Sequence, residues 1–267
     1  MVHSVIKYVE IYLRLFRFGF ILSTAYPLSF LIELFVEVGY QGVMLLFINI
    51  LYGNIHLLGG WNYQEILFFM GLNIITSEIF VATILLSLSD LPNKIRDGNF
   101  DFMLLKPINS LFIVSFSRPY FTSFVAMIPG FYLMASSYIN LHIPFDMFRI
   151  ALAGVLLVCG YAIGYSIHVF LISFTFVFQN SRVLSRLADE LVWGFKKNPH
   201  SIYTGAFRLV FYYLLPVIFL TSVPAHILIK GIEWPLVISG ICCAVVILTA
   251  TIYFWRYMIK RYASASS

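Results

Sequence analysis

In a chain of 267 residues, 61% are hydrophobic, 18% aromatic and only 11% charged. With a mean hydropathy of +0.90, it carries more apolar surface than a water-facing domain can hide, which excludes the soluble classes and predicts an all-α polytopic membrane protein. The net charge of +5 is a topology signal rather than a nucleic-acid signature, because the basic residues sit where membrane orientation wants them. Cys159, Cys242 and Cys243 lie in apolar runs, without a histidine at metal-ligand spacing, so no disulfide framework and no metal site are expected.

From Val5 to Phe18 the polar residues Lys7, Glu10, Arg14 and Arg17 recur at three- and four-residue steps. This spacing predicts an amphipathic helix over 3–20 lying in the membrane interface, or a cytosolic extension of the first membrane helix. The apolar run after Arg17 is too long for a signal peptide and is expected to stay in the mature chain. As one helix, the run from Phe20 to Tyr52 would be about 50 Å long against a hydrocarbon core of about 30 Å, so it must bend or tilt. The first span is placed at 26–51, with Gly39 and Gly42 as candidate kinks. Gly59, Gly60 and Trp61 make an outer turn, and the second span covers 64–89.

Next comes the densest charge in the first half of the chain. Asp90, Lys94, Arg96, Asp97, Asp101 and Lys106 crowd around the stretch 91–107, and Gly98-Asn99 is a turn signal. The expectation is a short helix from about Pro92, a bend, and a second amphipathic turn ending at Pro107. A third span follows at 108–138, a short outer loop at His142 to Asp146, and a fourth span at 145–176. Gly160 and Gly164 form a GxxxG step in it, which predicts a close packing face, within the chain or across a dimer. The stretch 179–208, with Arg182, Arg186, Asp189, Glu190, Lys196 and Lys197, reads as a second cytosolic segment. The fifth span is placed at 209–229, interrupted by Pro216 and Pro224, and the sixth at 235–257. These six spans put all lysines and arginines inside except Arg149 and Lys230, which fall outside, and Arg118, which falls within a span.

Four ionisable residues lie inside spans: Glu33 and Glu37 in the first, Glu78 in the second and Arg118 in the third. A charge at mid-bilayer costs about 2.5–3.5 kcal/mol on insertion scales, so each needs protein or water around it. Counted from the 91–107 bend, Glu78 and Arg118 fall at similar depths, and the expectation is that they pair. Glu33 and Glu37, one turn apart, are expected to line a dimer interface or a polar route; the other reading is that such charges only fix helix register. No GxxxxGK[ST], HExxH or GxSxG motif occurs, so no catalytic residue is assigned and the chain is not expected to be an ATPase itself.

The run Ile95 to Pro107, with Gly98, Asp101 and Leu104 to Pro107, resembles the cytosolic segment between the second and third helices of the type 2 permeases of ATP-binding-cassette (ABC) transporters. Tyr203, Arg208, Pro216 and Pro224-Ala225 resemble the same family, whose fifth span is followed by a short outer helical hairpin. The resemblance implies a single transmembrane permease domain over 1–267, with six transmembrane helices and a short coupling helix. It implies ATPase docking through Asn93, Lys94, Ile95, Arg96, Asp97, Gly98 and Asp101. Two cytosolic ATPase subunits would carry ATP and Mg, with no cofactor on this chain, and a second permease chain, identical or paralogous, would complete the pathway. The implied setting is the inner membrane with both termini cytosolic, and the implied activity is export. Two other classes remain: a secondary transporter using Glu33, Glu37 and Glu78 as ion sites, although no convincing inverted repeat is visible, and a membrane assembly factor without transport.

Overall fold

The computed structural model describes residues 2–178, 182–194 and 196–262. Every named element is helical, and the sole β-bridge among the described residues joins Leu58 to Trp61. Five helices are long and apolar enough to cross a membrane: Pro27–Asn54, Tyr63–Arg96, Thr122–Asn140, Met147–Phe176 and Trp234–Ile259.

The apolar run that had to bend does so ahead of a proline. Helix α1 (Val2–Ala25) stops and α2 (Pro27–Asn54) begins with Pro27 in its first turn, while Tyr26 between them has left the helical region. Gly39 and Gly42, the expected kink sites, lie inside an uninterrupted α2. Along α1, Tyr8, Tyr12, Phe16 and Phe20 set their rings on Phe112, Phe116, Phe124 and Phe121. Val9, next to Tyr8 in the chain, is exposed. Gln41 is the only buried residue of α2.

Leu58 and Trp61 exchange backbone hydrogen bonds at 3.0 Å around Gly59 and Gly60, both at positive φ, which makes a tight turn that side chains with a Cβ rarely adopt. A capping box between Asn62 and Glu65 then starts α3 (Tyr63–Phe80). It continues through a π turn at Val81–Leu85 to Ser89.

The expected third span, 108–138, is not one helix. It consists of Ser110–Phe116, then Thr122–Ala126, then Ile128–Asn140, with Pro119 in the first gap. This gap faces the π turn: the Tyr120 N–H donates to the Ala82 carbonyl at 2.8 Å. Two irregular backbones thus satisfy each other. Deeper in, α3 crosses Ile128–Asn140 at Gly71 and Gly130, where a Cβ on Gly71 would stand 2.7 Å from the Gly130 carbonyl oxygen.

Two sequence placements in the second half are corrected. The stretch 209–229 is a folded-back hairpin rather than a span. It runs as Gly205–Leu209, a π turn, a break at Leu215-Pro216, the 3₁₀ turn Val217–Leu220, and Ser222–Ile229. Its longest helix has 8 residues, about 12 Å, which is far short of the hydrocarbon core. The tip presses on helix Met147–Ser173, where Gly160 meets the Phe219 carbonyl and the Leu220 Cα. Phe219 is fully buried, with its ring against Gly240 of helix Trp234–Ile259. The GxxxG face is therefore used within the chain.

The stretch 179–208 does not stay at one end of the molecule. Residues 179–181 and Phe195 lie outside the described residues. From Arg182–Asp189 the path climbs beside α3: Asp189 meets His168 at 3.1 Å, Trp193 packs on Phe80, and the Lys196 carbonyl accepts from Asn73 at 3.1 Å. Finally, Ser201 donates to the Gly59 carbonyl at 2.6 Å. Lys230, beyond the hairpin, reaches the Gly60 carbonyl. Residues 200–202 and the hairpin's exit therefore share the end that carries Trp61, opposite the 91–107 bend.

Candidate functional site

Two regions carry polar groups with no purely structural duty. The first is the 91–107 bend. Pro92 opens the six-residue helix Leu91–Arg96, and Gly98 at φ 71 turns the chain into a second one, Asn99–Leu104. The inner face anchors it: Leu91 and Phe100 are fully buried, and the Phe100 ring sits 5.3 Å from Phe176 and 5.1 Å from Tyr262. The bend is thereby fixed to the ends of the helices Met147–Phe176 and Trp234–Ile259.

The residues expected to dock a partner divide between the two faces. Asn93 and Lys94 turn inward, Asn93 donating to Asp90 at 3.2 Å and Lys94 to Ser117 at 2.8 Å. Ile95 is half-buried in the same apolar cluster, and Asp101 is half-buried in the first turn of Asn99–Leu104. Arg96 and Asp97 point to solvent and pair at 3.0 Å. Beside them stand Phe102 and Leu105, 68% and 81% exposed. The sequence reading missed these two. Their signal was available, since Phe102 and Leu105 lie on the side of the turn opposite the Phe100 and Met103 anchors.

The second region is a cavity of about 530 Å³ between α2, α3 and residues 193–194 and 197–199. Apolar side chains such as Met44, Phe69 and Trp193 make most of its wall, and Glu37, Gln41, Asn73, Ser77, Glu78 and Lys197 add polar groups. Glu78 is only 3% exposed and accepts from Gln41 at 3.3 Å, while the same Gln41 nitrogen donates to the Ala126 carbonyl at 3.1 Å. Ser123 and Glu37 also reach Glu78. Gln41 Oε1 is buried without a partner. Lys196 is buried behind the wall with its ammonium 4.1 Å from the Trp193 ring centre, and Lys197 donates to Tyr40 at 2.7 Å.

The expected Glu78–Arg118 pair does not form. Arg118 is exposed, and its backbone N–H donates to the Ser87 hydroxyl at 2.8 Å. Ser87 lies nine residues beyond Glu78 on the same helical run, a rise of about 13 Å. The depth count assumed an unbroken helix after Lys106, whereas residues 106–109 are not helical and the helix that follows, Ser110–Phe116, ends before Arg118. Glu33 is held within the chain, accepting from Tyr120 at 2.6 Å and from Thr122 at 3.2 Å. Glu37 enters the cavity and Glu33 does not, so the two acids part company despite their one-turn spacing.

All-helical architecture, five long apolar helices and a charged bend clamped at one end define a multi-pass membrane permease. The chain belongs to the ABC-2 transporter family: the family model described as "ABC-2 family transporter protein" matches residues 38–266, which take in the bend, the cavity and the hairpin. No curated protein matches the chain.

Proposed function

We propose that this chain is the membrane subunit of an ATP-driven exporter, which joins a second permease chain and is driven by two separate ATPase subunits docked on the 91–107 bend. The observation that carries this reading is the outward face of the bend. Exposed Phe102 and Leu105 stand beside Arg96 and Asp97 on a segment that is rigidly held from behind. Exposed aromatic and aliphatic knobs among charges fit a partner groove better than they fit water. Nucleotide-driven closure of the ATPases would then move the bend, and through Phe100 the two helices it is clamped to. ATP acts by its preference for the closed ATPase pair.

Residues 182–194 and 196–199 form a broken crossing in this reading, which makes six crossings with the five long helices. Support comes from its course, from His168 at one end to the neighbourhood of Gly59 at the other. With that path Lys196, Lys197 and Arg208 leave the side of the bend. Lys7, Lys94, Arg96, Lys106, Arg186, Arg256, Lys260 and Arg261 stay with it, an asymmetry that favours the cytosol there. Both termini then face the cytosol, in the inner membrane of the cell. Export rests on the resemblance to type 2 permeases, and the cavity beside α2 is the proposed start of the route.

Reconstitution tests the whole reading. Vesicles holding the permease with its ATPase should move cargo only with ATP, whereas solute movement by the purified chain alone, without nucleotide, would overturn it.

A further inference from the structure

At the Trp61 end, three side chains far apart in sequence converge. His200 closes the path from 182–199, His226 lies in the last turn of Ser222–Ile229, and Glu233 precedes the helix Trp234–Ile259. One imidazole nitrogen from each histidine and one carboxylate oxygen lie within 4.8 Å of one another. We propose that His200, His226 and Glu233 bind one zinc ion, which ties the hairpin to the chain on either side of it.

The donor set suits this metal. Two imidazoles and a carboxylate are borderline ligands, preferred by zinc over the oxygen-seeking magnesium and calcium, and three protein ligands leave a position for water. Around a tetrahedral zinc with bonds of about 2.0–2.1 Å the ligand atoms stand roughly 3.4 Å apart, so closure needs an inward shift of about 1 Å. Glu233 is half exposed and free to make that shift, which also opens the site to water.

The orientation of the rings points the same way. His226 turns Nε2 to Glu233 at 3.4 Å, so this nitrogen faces the cluster. The Ser222 hydroxyl sits 2.7 Å from the backbone nitrogen of His200 and 2.8 Å from its Nδ1. Its oxygen can accept from both, which leaves the Nε2 lone pair of His200 for a metal and fixes the ring from the second shell.

The charges around the cluster are balanced. Lys230 and Arg208 oppose a cation, but Lys230 is already engaged by Glu65 at 3.2 Å and stands over the Trp61 ring, and Arg208 stands over Tyr212. Coordination uses the neutral ring of each histidine, the form whose nitrogen carries a free lone pair.

The test uses the full chain without a histidine tag, purified in detergent and stripped with chelator. Titrated zinc should bind saturably at about one ion per chain and raise the melting temperature reversibly, with excess magnesium having no effect. Glu233→Gln, at an exposed position that leaves the fold intact, and His226→Gln should each weaken zinc binding at least tenfold. Circular dichroism confirms folding of both variants. Absence of saturable zinc binding in the wild type, or unchanged binding in Glu233→Gln and His226→Gln, overturns the assignment.

Discussion

Leu220 lies so close to Gly160 that a Cβ on the glycine would stand 2.7 Å from the Leu220 Cα. The contact is backbone against backbone, so no side-chain rotation relieves it. Gly160→Ala should therefore lift the hairpin tip off its seat and cost about 1–3 kcal/mol. Gly154, on the same helix, has nothing within 4 Å of its virtual Cβ. Gly154→Ala should be neutral or stabilising by up to about 1 kcal/mol. Thermal unfolding of the two variants in one detergent compares them directly, and equal melting temperatures would remove the hairpin's seat from the account.

The face of the bend makes a different prediction, because its residues touch solvent rather than core. Asp97→Arg and Phe102→Asp should each change stability by no more than about 0.5 kcal/mol, as surface substitutions do. Both should abolish co-purification of the ATPase. Retained ATPase with either variant would move the docking surface elsewhere.

Phe100 tests the clamp behind that face. Its ring is fully buried between Phe176 and Tyr262, and Phe100→Ala should cost about 3–5 kcal/mol. Hydrogen exchange should show the loss concentrated in 91–104, with α3 and the helix Trp234–Ile259 still protected. In a reconstituted complex such a loosened bend should bind ATPase yet transmit less of its motion, seen as ATP hydrolysis with reduced cargo movement.

The bend was legible in the sequence because its charges, Gly98 and Pro107 are local signals, and local signals survive folding. Where a reading depended on counting across a helix, it failed at breaks. The non-helical residues 106–109 and the helix end at Phe116 separate Arg118 from Glu78, but a hydropathy run reads through both. The stretch 182–202 misled for a related reason. Lys196 and Lys197 look like cytosolic charge, yet one is hidden over Trp193 and the other is bound by Tyr40. Hydropathy also cannot distinguish a crossing from a hairpin; Pro216, Pro224 and the resemblance to a family with an outer helical hairpin in this region were the hints that 209–229 folds back. The cluster of His200, His226 and Glu233 has no motif spacing, so only the fold could assemble it.

If Glu78 and Arg118 belong to separate environments, their substitutions must act independently. Glu78→Gln leaves an oxygen for Gln41, and Arg118→Ala removes an exposed group. The double variant's stability change should equal the sum of the singles within about 0.5 kcal/mol. A coupling above 1 kcal/mol would restore the ion pair that the position of Arg118 beside Ser87 rules out.

The course of 182–202 decides how many times the chain crosses the membrane, and cysteine labelling reads it directly. Asn54, Ser201 and Asp97 are all exposed, so a thiol at any of them is reachable from the water on its own side. Ser201 is hydrogen-bonded to the Gly59 turn, a few residues past Asn54 and at the far end of the molecule from Asp97. An impermeant maleimide added to intact cells should therefore label Ser201→Cys and Asn54→Cys and spare Asp97→Cys, which reacts only after permeabilisation. The parent chain, in which Cys159 and Cys243 are partly buried and Cys242 is exposed along the apolar helix Trp234–Ile259, sets the background. Were Ser201→Cys to label together with Asp97→Cys, the segment would be the cytosolic loop that its charges first suggested, and Lys196, Lys197 and Arg208 would return to the inner side.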